Sequence, residues 1–169
     1  MLSSSLSRRS FLALGGASAI ATLPLPSFAL TTSQAEGLVT SAVAEINRII
    51  SSGASVGSMI NSFGGVFNRY ADTAYVAAFA LGNSGRSASN AQRSAFRRAF
   101  VGYVAEKYGR RFNEFAGGQI VVQGSRAVDN YVEVQTIADL PGQSPFRVDF
   151  HVSDRTGQPL FFNLIVEGV

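Results

Sequence analysis

Cysteine and tryptophan are both missing from this chain of 169 residues, and histidine occurs once, at His151. Without thiols there is no disulfide framework and no thiolate nucleophile. A single histidine excludes a His-rich metal site and a two-histidine proton relay, so no metal and no cofactor are expected. Charge is scarce too, at 15% of residues with a formal net of +3. Arg8 and Arg9 supply two of those positive charges. Beyond residue 29 the balance is therefore twelve basic against eleven acidic groups, a net of +1. A general nucleic-acid binder would be more basic, and none is expected here. What the chain does have is phenylalanine, thirteen of them. That suits a packed core, or a cavity with apolar walls.

The first 29 residues read as an export signal. Ser7-Arg8-Arg9-Ser10-Phe11-Leu12 is a twin-arginine pattern, and an uncharged apolar run follows from Phe11 to Leu25. Pro24 and Pro26 end the run, and Ser27-Phe28-Ala29 has the small-x-small form of a signal-peptidase site. The run is short and diluted by Gly15 and Gly16, which disfavours the alternative of an uncleaved anchor. No Cys follows to carry a lipid. The expectation is a periplasmic protein cleaved near Ala29, with residues 30–169 as one domain.

Hydrophobic spacing then gives helices first and strands later. Ser33-Gln34-Ala35-Glu36 reads as a capping box opening a helix to about Ser51, with Val39, Val43, Ile46 and Ile50 on one face. A second helix is expected from Val56 to Arg69, weakened by Gly64-Gly65. A third runs from Thr73 to Leu81, capped by Asp72 and ended by Gly82. Ser89-Asn90-Ala91-Gln92 opens the longest, in which Phe96, Phe100, Val104, Tyr108 and Phe112 recur every fourth residue up to Gly117-Gly118. The period then changes to two, predicting strands at 119–124, 131–137, 146–152 and 160–166 joined by short turns. The expected fold is α+β: N-terminal helices on one face of a twisted, mostly antiparallel four-stranded sheet, with an apolar pocket between them.

Chemistry is thin. No H-E-x-x-H and no phosphate-binding loop is present. Asp149 and His151 could serve an isomerase-like site on a cone-shaped α+β fold, but they share a strand face with Arg147, opposite Phe146, Val148 and Phe150. A solvated outer face is the simpler reading, and the chain reads as a non-enzyme. A basic stretch holds Arg93, Arg97, Arg98, Arg110 and Arg111. It is either a solvated helix face or a surface for lipid head groups or an acidic partner, since Arg binds phosphate in fork geometry.

Asp72-Thr73-Ala74-Tyr75 through Phe79-Ala80-Leu81-Gly82, then Gln92-Arg93 with Phe96 and Phe100, resemble the helical signature of the MlaC, or toluene-tolerance, proteins. The close is similar as well: Arg147-Val148-Asp149-Phe150, a turn, then Ile165-Val166-Glu167-Gly168-Val169. The resemblance implies a monomeric periplasmic carrier that holds a phospholipid by its acyl chains. It would shuttle the lipid between an outer-membrane lipoprotein complex and an inner-membrane ABC lipid transporter. Hopanoid-associated relatives share the pattern. Two departures stand out: Asn83-Ser84-Gly85-Arg86 keeps one Arg of the family's basic cluster, and the family's C-terminal helix after Glu-Gly-Val is not in this sequence, which implies a more open pocket. The residues expected to line the pocket are Phe67, Tyr70, Val76, Phe79, Phe100, Val104, Tyr108, Val134, Val148, Phe150 and Leu164.

Overall fold

Helix α1 (Thr32–Ile50) begins two residues earlier than the Ser33 box predicts. Thr31 is the cap instead: its Oγ1 accepts from the Gln34 N–H at 3.2 Å, and Gln34 Oε1 accepts from the Thr31 N–H at 3.0 Å. Gln serves in the box as well as Glu, so two overlapping frames compete and the earlier one lengthens the helix by two residues. In this computed structural model residues 30–167 are described; the twin-arginine segment, the cleavage site at Ala29 and the final Gly168 and Val169 lie outside them. Helix α2 (Val56–Tyr70) is capped by Ser55, and α3 (Thr73–Leu81) by Asp72, whose Oδ1 accepts from the Tyr75 N–H at 2.9 Å. Gly82 ends α3 at φ +58°, a conformation that favours glycine. A 3₁₀ turn (Gly82–Arg86) leads to α4 (Asn90–Gly109), which Ser89 and Gln92 cap as expected.

Helix α4 is shorter than the four-residue spacing predicts. It tightens after Gly109 into a 3₁₀ turn (Arg110–Asn113) that carries Phe112 into the core, edge-on to Phe63 at 5.0 Å. At the same point α4 crosses α2 closely. A Cβ on Gly109 would lie 2.7 Å from Ile60 Cα, and one on Gly64 would lie 3.3 Å from the Ala105 Cβ. Gly64 of α2 and Gly109 of α4 are thus what let the two helices touch, whereas Gly65 meets nothing within 4 Å. Gly109→Ala is expected to destabilise the protein by about 1–3 kcal/mol, because a backbone atom cannot step aside as a side chain can. Urea unfolding checks this; a change below about 0.5 kcal/mol would mean the crossing is looser than described.

The sheet is an antiparallel meander in the order β1 (Gln119–Val128), β2 (Tyr131–Asp139), β3 (Phe146–Ser153), β4 (Leu160–Val166). β1 outruns its predicted end at Gly124. A bulge between Val122 and Gly124 absorbs one residue, and pairing resumes through to Val128 opposite Tyr131. Registers Val134↔Phe150 and Thr136↔Val148 put Val132, Val134, Val148, Phe150 and Val152 on one inner face. Helix α1 lies against that face, and α4 leans on α2 and α3 rather than on the sheet. Asn47 fastens α1 to the edge strand: its side-chain amide accepts from the Ile120 N–H and donates to the Ile120 carbonyl, both at 2.8 Å. Among the described residues no helix is long and apolar enough to cross a membrane.

Candidate functional site

Seven of the eleven predicted wall residues meet in one place. Phe67, Val134 and Phe150 are buried together with Val39, Val43, Val152 and Phe161, and Tyr70, Phe100, Val104 and Val148 pack half-buried against them. Val101 of α4 and Ile120 and Val122 of β1 join the same margin. The result is an apolar seam where α4 approaches the residues that α1, α2 and the inner face of the sheet bury together. Its one polar group at the floor, Thr136, is fully buried and donates its hydroxyl to the Val148 carbonyl at 2.7 Å. The Val134, Val148 and Phe150 side chains beside it are apolar, as contact with hydrocarbon requires. Tyr70 closes one end, with its hydroxyl donating to Glu45 at 2.8 Å while Arg69 pairs with the same carboxylate.

The other four stand apart. Val76 is half-buried on α3. Tyr108 and Leu164 are 45% and 41% exposed, and Phe79 is 79% exposed, the barest large apolar group among the described residues. Two open clefts of about 450 and 490 Å³ flank α1 and α2, one beside Leu38, Tyr70 and Leu160, the other beside Arg48, Ser58 and Arg69. Neither includes a residue of α3 or α4.

The opposite sheet face carries the charged groups, but it is less solvated than the alternation predicts. Glu133 is buried, and Asp149 and His151 are half-buried. The reason is side-chain cover from the face itself. Arg126 clasps Glu133 with two hydrogen bonds of 2.8 and 2.9 Å, Gln135 adds a third, and Tyr131 lies 4.5 Å from the His151 ring. Arg147 pairs with one oxygen of Asp149 at 2.7 Å, while the other is buried without a protein partner. Asp149 and His151 thus sit across the sheet from the seam, and among the described residues no acidic or histidine cluster is arranged to hold a metal ion. The Arg126 bonds hold the Glu133 carboxyl at about 2, down from 4.5, against the opposing effect of burial. A depressed acid stabilises the fold fully above pH 4.5 and loses that contribution as pH falls toward 2. Melting temperature should fall through that window, and Glu133→Gln should flatten the slope there; an unchanged slope would assign the acid sensitivity elsewhere.

One motif escapes a reading by periodicity. Gly53-Ala54-Ser55-Val56-Gly57 has the G-x-S-x-G spacing of a nucleophile elbow. That elbow needs a strand-to-helix turn, whereas Ser55 lies between two helices and its Oγ accepts from the Ser58 N–H at 3.3 Å as the cap of α2.

Of the predicted docking residues, Arg93 bonds to the Gly85 carbonyl and to Asn90, and Arg110 pairs with Glu106. Arg97, Arg98 and Arg111 are exposed, and no described residue forms a salt bridge with them.

The family profile described as MlaC protein matches residues 40–169. The chain belongs to the MlaC family. Its fold is also similar to that of a solved phospholipid-binding protein from Ralstonia solanacearum, determined in complex with a phospholipid. That likeness has a TM-score of 0.69 at 17% identity and covers 80% of this chain and 79% of the other. The seam of this MlaC protein is thus set in a fold whose relative holds a lipid, and the α+β architecture expected from the sequence is the family's.

Proposed function

We propose that this MlaC protein carries a phospholipid by its acyl chains in the seam between α4 and the sheet. The observation that supports this most is the way α4 is held. Its apolar residues Phe100, Val101 and Val104 face the core, yet its backbone rests on α2 and α3 and not on the sheet. Separating α4 from the sheet breaks no strand pairing. It exposes only groups that acyl chains would cover again.

Energetics require such a seam. Each buried CH₂ contributes about 0.8 kcal/mol, so two acyl chains bring roughly 20 kcal/mol or more of gross apolar burial that a bilayer already satisfies. A carrier must offer comparable apolar contact and leave the phosphate at the mouth. The likeness to a phospholipid-bound structure supports the same ligand class here. On this reading the exported, monomeric protein moves lipid through the periplasm between an outer-membrane lipoprotein complex and an inner-membrane ABC transporter, by partition and docking and without catalysis. A hopanoid would fit the same apolar lining. The enzyme alternative draws no support, because Asp149 and His151 face away from the seam.

Transfer of a labelled phospholipid from donor to acceptor vesicles tests the carrier activity. A rate that rises in proportion to protein concentration is expected; no transfer above the spontaneous rate would contradict it.

A further inference from the structure

Helix α3 presents an anomaly. It reads Thr-Ala-Tyr-Val-Ala-Ala-Phe-Ala-Leu with no charged residue, and a helix apolar all round belongs in a core or against lipid. Only Thr73 and Ala77 are buried. Tyr75 and Phe79 are exposed, together with Ala74, Ala78 and Ala80. The Arg155 guanidinium covers one face of the Tyr75 ring at 3.5 Å, so the apolar strip that the helix offers to whatever lies outside the protein is centred on Phe79 and the alanines beside it.

Its charge setting says what that partner is. Residues 73–105 contain Arg86, Arg93, Arg97 and Arg98 and not one Asp or Glu. Arg86 lies in the 3₁₀ turn directly after α3, and Arg93 is tied back to that turn through the Gly85 carbonyl at 2.9 Å. Arg97 follows one helical turn further along α4. Among the described residues no carboxylate forms a salt bridge with any of the four, and Glu106, the first acid after them on α4, is paired with Arg110. An apolar strip beside unneutralised arginines is complementary to an anionic lipid surface, where rings reach the acyl boundary and guanidinium groups meet phosphate.

We infer that the α3–α4 hairpin docks this protein directly onto anionic bilayers, with Phe79 entering the interface and Arg86, Arg93, Arg97 and Arg98 on the head groups. Such docking would set one wall of the seam against the membrane. It goes beyond the carrier reading and does not depend on the protein transfers.

Cosedimentation of the purified protein with vesicles tests it. One set is phosphatidylcholine alone; the other contains phosphatidylglycerol as well. Binding to the anionic set only, released by high salt, is expected. Arg86→Gln and Arg97→Gln should each weaken it about fivefold. Phe79→Ser should weaken it about tenfold or more. Circular dichroism confirms folding, and because Phe79 is so exposed its replacement should leave the melting temperature nearly unchanged. No binding, equal binding to both vesicle sets, or binding indifferent to Phe79→Ser would overturn the proposal. So would a dimer that forms in the wild type and is lost in Phe79→Ser, which would assign the strip to a second copy of the chain. Lipid transfer assayed on the same preparations separates the two claims. Transfer without vesicle binding defeats the docking alone, and binding without transfer defeats the carrier alone.

Discussion

Val148→Asp should leave the protein folded and unable to retain lipid. Val148 lies at the half-buried margin of the seam, opposite Thr136 on β2 and beside the buried Phe150. A carboxylate there can turn toward solvent while the lipid is absent, so the fold tolerates it. With acyl chains in place the charge would be desolvated against hydrocarbon, at a cost of several kcal/mol. Losing 4 kcal/mol corresponds to about a thousandfold in affinity. Asp149→Ala is the matched control one residue along: its side chain is on the other sheet face, and retention should be unchanged. Phe150→Asp should also abolish retention, but through the fold, since Phe150 is inside the core. Phospholipid quantified per mole of each variant checks all three. Loss in Asp149→Ala with retention in Val148→Asp would reverse the assignment of faces and revive the enzyme reading.

The second large effect concerns stability. Phe67 is where α2 meets the sheet: its ring lies 6.3 Å from Phe63 and 6.1 Å from Phe161, within the buried cluster that also holds Val134 and Phe150. The chain is strapped at the same place, where the Asp72 N–H donates to the Phe161 carbonyl at 2.8 Å and Ala71 bridges Phe161. That strap prevents α2 and β4 from closing over a void. Phe67→Ala should therefore cost about 3–5 kcal/mol, the upper range for truncating a core aromatic. Denaturant unfolding reads the change. A loss near 1 kcal/mol would mean that the core collapses around the missing ring and is softer than described.

These two residues also mark what could be read in advance. Periodicity found the helices and strands because burial of one face is written into local sequence. Val39, Val43, Ile46 and Ile50 are all buried on α1, and the alternation of Phe146 to Val152 places Val148 and Phe150 opposite Asp149 and His151 as expected. Long-range features were invisible. The two bonds from Asn47 to Ile120 span 73 residues. Gly64 reads as a flaw in a single helix, although with Gly109 it forms the crossing point of a pair. Glu133 is buried on the charged face of the sheet through the clasp of Arg126 and Gln135, partners that a pattern of alternation does not reveal. Of the residues proposed to line the lipid pocket, seven gather in one apolar cluster. Spacing alone could not separate Phe100, turned to the seam, from Phe79, turned outward, because both lie on apolar stretches whose neighbours are set by how α3 and α4 pack.

The central claim is that the seam holds phospholipid, and the most direct measurement is mass spectrometry of the organic extract from protein purified out of the periplasm without detergent. The account predicts phospholipid close to one molecule per chain, enriched over a control protein purified in the same way. A folded protein whose extract contains no lipid would contradict it and make the seam a closed part of the core.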